Sequence, residues 1–137
     1  MHYAEELVRE FLVFRGFTTT LQSYETELRT DVGKSFHVDK ILDLIFSIYI
    51  PNFHINKLIS LLSFFKHYLS SSSQYTLLSS FSKLEASILR FYVVHALQSK
   101  KREKVVEFFD VYGPDLLQSS SQEDWTQWFG AFFFFLC

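Results

Sequence analysis

One cysteine, two prolines and four glycines are scattered through 137 residues, and each scarcity removes a class of protein. The lone thiol, Cys137, has no second cysteine to join in a disulfide, a redox pair or a thiolate metal site. A reducing compartment is the expectation. So few glycines and prolines argue against a β-sandwich or barrel, which needs turn residues about every 8–12 positions. Neither sign of charge dominates: 13 Lys and Arg against 15 Asp and Glu leave a formal net charge of −2, with no global field to attract polyanions. Nucleic acid is excluded as an expected partner. No apolar run reaches the roughly 18 residues of a spanning helix, since the best, Ile41 to Ile50, is interrupted by Asp43 and followed by Pro51. Glu5 and Glu6 stand where a secretory signal carries positive charge, so export is not expected and the cytoplasm is.

What the chain does have is apolar bulk. It is 48% hydrophobic, with 17 Phe, 7 Tyr and 2 Trp, enough for a packed core or large contact surfaces. The apolar spacing is helical nearly throughout. Leu7, Val8, Phe11 and Leu12 share one face, opposite Glu5, Glu6, Arg9 and Glu10. Gly16 permits the tight conformation that ends this helix, and Thr18 to Thr20 are candidate caps for a second with Leu21, Tyr24 and Leu28. A polar stretch from Arg29 to His37 reads as a linker.

Asp39 is the expected cap of a third helix running to Ile50. Its Ile41, Leu42, Leu44, Ile45, Phe46, Ile48 and Tyr49 cover most of the circumference and predict burial on several sides. A fourth helix begins near Ile55, with Leu58, Leu61, Leu62, Phe65 and Leu69 on one face, and Ser70 to Ser73 break it. The longest signal runs from Tyr75 to Ser99, where Leu77, Phe81, Leu84, Ile88 and Phe91 form a possible coiled-coil seam. After Lys100, Lys101, Arg102 and Lys104 comes a last helix with Val105, Val106, Phe109 and Tyr112, expected to stop at Gly113-Pro114. The fold class predicted is all-α: a helical hairpin at 4–28, then an array of antiparallel helices at 38–117. Residues 118–137, with Trp125, Trp128 and the run Phe132 to Phe135, have no polar face and are expected to be an atypical tail apart from the array.

Chemistry is hard to find. His2, His37, His54, His67 and His95 lack the paired spacing of metal ligands, no glycine-rich loop presents backbone N–H groups to a phosphate, and no Ser lies in a Gly-x-Ser-x-Gly turn. Glu25 and Glu27, two apart on a helix, point to different faces and suit solvation better than shared acid–base work. The basic run Lys100 to Lys104, interrupted by Glu103, reads as a solvated hinge at a helix C-terminus. A helix-turn-helix is also a poor reading of the first hairpin, whose second helix offers Glu25 and Glu27 to a phosphate backbone. No catalytic residue, metal or cofactor is expected, and the chain is read as a protein-interaction segment.

The first hairpin resembles the LisH family, whose pattern is an apolar helix, a Gly-aromatic corner and a second helix with an aromatic and a glutamate. The residues that carry this are Leu7, Val8, Phe11 and Leu12, then Gly16-Phe17, then Thr20, Leu21, Tyr24 and Glu27. Leu21 stands where a smaller residue is usual. The resemblance implies a homodimer through Leu7, Val8, Phe11, Leu12, Gly16, Phe17, Leu21 and Tyr24. From Ala4 to Gln118, including FHVDKILDLIFSIYIPNFHINKLISLL and KLEASILRFYVVHALQSKKREKVVEFFDVYGPDLL, the chain resembles the N-terminal region of the WD repeat-containing protein 91 family.

That resemblance implies an adaptor, peripheral on early and late endosome membranes, that restrains phosphatidylinositol 3-phosphate production and supports early-to-late endosome conversion. Phosphatidylinositol 3-kinase complex subunits and another WD-repeat protein are the partners it implies. The alternative is a regulatory or scaffold subunit of a LisH-type ubiquitin ligase. The repeats of about 40 residues that build a WD propeller are missing from this sequence, so functions housed there do not carry over. A truncated form is the expectation.

Overall fold

The computed structural model describes residues 2–31, 36–71, 75–118, 125–128 and 130. Every regular element among them is helical: α1 (His2–Phe14), α2 (Thr18–Thr30), α3 (Val38–Asp43) running into a π-helical segment (Leu44–Tyr49), α4 (Ile55–Ser71), α5 (Tyr75–Gln98) and α6 (Arg102–Gln118). The all-α class is therefore correct. The chain divides into two compact units, Met1–His37 and Val38–Cys137.

In the first unit, α1 and α2 pack as a hairpin. Gly16 closes it at φ +70°, the left-handed conformation in which a side chain is strained. The Phe17 N–H donates to the Leu12 carbonyl at 2.9 Å and the Gly16 N–H to that of Val13 at 3.0 Å, the paired bonds of a Schellman ending. The Thr18 to Thr20 cap does not form: Phe17 occupies the N-cap position and no side chain bonds the helix start. Glycine geometry, rather than a hydroxyl, sets where α2 begins. One tie between the helices is the Tyr24 hydroxyl, which donates to the Glu5 carbonyl at 3.1 Å.

The second unit holds a core of Ile45, Ile50, Ile55, Leu58, Leu62, Ala86, Ile88, Leu89, Tyr92, Val93, Ala96, Val105, Phe108, Phe109 and Trp125. α5 is the central element, packed on both α4 and α6. The Schellman ending recurs here on residues other than glycine. At Phe53 (φ 57°) the His54 N–H reaches the Tyr49 carbonyl at 2.8 Å, and at Lys100 (φ 59°) the Lys101 N–H reaches that of Ala96 at 2.9 Å. Phe53 is held by its ring, stacked 5.3 Å from His95 and edge-on to Tyr92 at 6.2 Å.

Four further sequence expectations are corrected. Asp39 lies in the first turn of α3 and not before it. The third helix is not buried on several sides, for Leu42, Phe46 and Ile48 are exposed; with the Ile50 N–H bonded back to the Ile45 carbonyl at 3.0 Å, Ile45 and Ile50 are buried and Ile41 and Tyr49 pack partly buried against the core. α6 does not stop at Gly113-Pro114 but carries Pro114 inside it and continues to Gln118, which brings Leu116 against the core. Finally, Trp125 and Trp128 are not apart from the array: Trp125 is 0% exposed, its indole buried against the rings of Phe108 and Phe109, and Trp128 packs on the same core. The run Phe132 to Phe135 lies outside the described residues.

Candidate interaction surfaces

The hairpin face is built by α1 and presented outward. Of the residues expected at a dimer interface, Leu12 is buried, Leu21 and Tyr24 are half-buried, and Leu7, Val8, Phe11 and Phe17 are exposed, Phe11 at 53%. Gly16 lies at the exposed corner. Phe11 and Phe17 meet edge to face at 6.4 Å, and the Arg15 guanidinium stands 5.2 Å over the Phe17 ring. Beside this apolar row, Arg9 pairs with Glu25 at 3.2 Å across the two helices. A pair this exposed contributes under about 1 kcal/mol and chiefly fixes the relative register of the helices.

The seam on α5 is divided. Ile88 is buried and Phe81 half-buried, whereas Leu77, Leu84 and Phe91 are 51%, 49% and 50% exposed. These three recur at seven-residue intervals and make an apolar stripe that Phe46 extends, its ring 5.3 Å from Phe91 at 85°.

A third grouping was not foreseen in the sequence. Trp125 and Trp128 lie against α5 and α6, with the Arg90 guanidinium 5.3 Å over one indole and 5.9 Å over the other. Phe108 is 5.9 Å and Phe109 6.4 Å from Trp125. A cavity of about 180 Å³ adjoins it, with Leu89, Leu116 and Tyr112 on its apolar side and the Lys66–Glu85 pair, 3.2 Å apart, at its polar side. The available signal was two tryptophans three apart after a serine run, which a hydrophobicity pattern reads as unfolded or truncated.

No group of three His, Cys, Asp or Glu among the described residues could hold a metal ion. His67 is exposed on α4, its carbonyl accepting from the Ser70 and Ser71 hydroxyls, and His37 bonds Asp31 at 3.0 Å. Burial, then Glu107 and Tyr112, pushes the Tyr92 hydroxyl up to about 12, and burial with Glu107 raises Tyr112. Tyr112 donates to the Asn56 carbonyl oxygen Oδ1 at 2.7 Å. No described helix is long and apolar enough to cross a membrane.

WD repeat-containing protein 91 of Xenopus tropicalis is 31% identical over 125 residues, covering 91% of this chain and 16% of that protein. The chain is similar to WD repeat-containing protein 91. In Danio rerio the figures are 35%, 91% and 17%, and the Dictyostelium discoideum homolog is 34% identical over 163 residues, 94% of this chain and 21% of its own length. The chain thus spans about a fifth or less of the length of these relatives. No family model and no solved structure matches it.

Proposed function

We propose that the chain is a non-enzymatic dimerising adaptor of the WD repeat-containing protein 91 family, corresponding to its N-terminal region. The observation that carries the dimer is the exposure of Leu7, Val8, Phe11 and Phe17 on one side of a hairpin whose α1 buries only Leu12 and whose α2 buries nothing fully. Two helices of 13 residues each are marginal alone in water, so this apolar row needs a covering surface. A second hairpin supplies one by two-fold symmetry, giving a compact four-helix unit. Similarity over 91% of the chain to WD repeat-containing protein 91 supports the family assignment. In this reading the adaptor sits peripherally on early and late endosomes, meets phosphatidylinositol 3-kinase complex subunits and another WD-repeat protein, and lowers phosphatidylinositol 3-phosphate there.

Sedimentation equilibrium of the wild type, Phe11→Ala and Glu10→Ala tests the dimer. Truncating an interface Phe costs about 2–5 kcal/mol, which dissociates a micromolar dimer, while exposed Glu10 contributes little. A wild type monomeric at high micromolar concentration refutes the pairing. For the cellular part, tagged chain should co-purify with phosphatidylinositol 3-kinase subunits; recovery of RING or cullin ligase subunits in their place would move the protein to the ubiquitin-ligase reading.

A further inference from the structure

Residues 125–128 are helical, and their two indoles, three apart, fall on one side. Both indoles rest on a surface of the second unit. That surface is made by α5 and α6. Phe108 and Phe109 floor it, and Arg90 stands over both Trp125 and Trp128, whose rings lie 6.2 Å apart. The two helices are already joined beneath the turn by their own ring contact, Tyr92 to Phe108 at 5.9 Å. The six residues that link α6 to the turn, Ser-Ser-Ser-Gln-Glu-Asp, include no apolar side chain, so its apolar anchoring begins only at Trp125.

The geometry points to a docking groove between α5 and α6 that recognises a Trp-x-x-Trp turn, held in cis by residues 125–128 as a displaceable latch. The floor supplies aromatic edges and faces, and Arg90 supplies a cation for indole π-faces, so the groove selects paired tryptophans over aliphatic residues. The ligand chemistry this assigns is a segment carrying two tryptophans three residues apart. A short tether gives the cis segment an effective concentration in the millimolar range, so a ligand in trans must add contacts to displace it. The cavity of about 180 Å³ beside Trp125 offers them: cavities of about 150 Å³ hold a benzene ring. The inference is independent of the hairpin dimer.

Trp125 and Trp128 are the chain's two tryptophans, so intrinsic indole emission reports the groove and nothing else. In urea, the full-length wild type should shift its indole emission to the red at lower denaturant than it loses helical dichroism, because a latch opens locally. Coincident transitions would make the turn an ordinary core element and overturn the proposal. The full-length double variant Trp125→Ala/Trp128→Ala is spectroscopically blank. Titrating it with a peptide of residues 119–130 should shift the peptide emission to the blue in a saturable way, with binding at least about tenfold weaker for the peptide carrying Trp125→Ala. A variant with wild-type helical dichroism that leaves the peptide emission unmoved overturns the groove; a variant that has lost its dichroism overturns the latch.

Discussion

Tyr92→Phe should stabilise this protein. Tyr92 is 0% exposed at the centre of the second unit, its ring against Phe53 and Phe108, yet its hydroxyl has no hydrogen-bond partner among the described residues. An unpaired hydroxyl held from water costs about 1–3 kcal/mol, and phenylalanine keeps the ring and its packing while removing that cost. The expected gain is about 1–2 kcal/mol, read as a higher urea midpoint at unchanged slope in far-UV dichroism. The alkaline limb gives a second measure. The folded hydroxyl is pushed up to about 12, against 10.0 for an ordinary tyrosine, so from pH 10 upward the unfolded chain ionises first and draws the equilibrium toward itself. Stability present below pH 10 is thus lost as pH rises toward 12, by at most about 2–3 kcal/mol from this one group. The phenylalanine variant lacks that loss, and its advantage over wild type should widen in alkali. A variant less stable than wild type by about 1 kcal/mol at neutral pH would show that the hydroxyl is bonded after all and would sink the argument.

Lys100→Gly should raise stability by about 1 kcal/mol, because Lys100 holds a left-handed φ of 59° that glycine adopts without strain; thermal unfolding measures it, and a lower midpoint would mean that the lysine side chain matters more than the backbone. Pro114→Ala restores a backbone N–H inside α6 and should add about 1–3 kcal/mol, whereas a loss would show that the proline is needed to place Leu116. Leu58→Ala empties a position of full burial and should cost about 2–5 kcal/mol in urea unfolding; a cost under about 1 kcal/mol would mean that α4 does not pack on α5 through this residue.

The helical class and the hairpin corner were legible because both are local. Apolar residues three and four apart name a helix, and Gly16 marks a left-handed corner in any context. The same backbone motif at Phe53 and Lys100 was illegible, since nothing local to a Phe or a Lys announces it. Phe53 is kept there by His95 and Tyr92, residues some forty positions away, so its conformation is a tertiary fact. Pro114 misled in the opposite direction. A Gly-Pro pair normally ends a helix, and here Leu116 gains enough by reaching the core that α6 continues through the lost backbone bond.

The candidate surfaces show where an apolar pattern runs out. Along α5, Leu77, Leu84 and Phe91 recur every seven residues, and Phe81 and Ile88 follow the first two by four. At 3.6 residues per turn that offset is a rotation of only about 40°, so periodicity places all five on one seam. The edge of the core falls within those 40°: Ile88 is 3% exposed and Leu84 is 49%. No reading of α5 alone locates that edge, because it is set by how far α4 and α6 reach around the helix. Trp125 makes the same point with the sign reversed. Its own segment gave no reason to bury it, and the reason lies in Arg90, Phe108 and Phe109, which the fold gathers from two other helices into a surface that takes an indole.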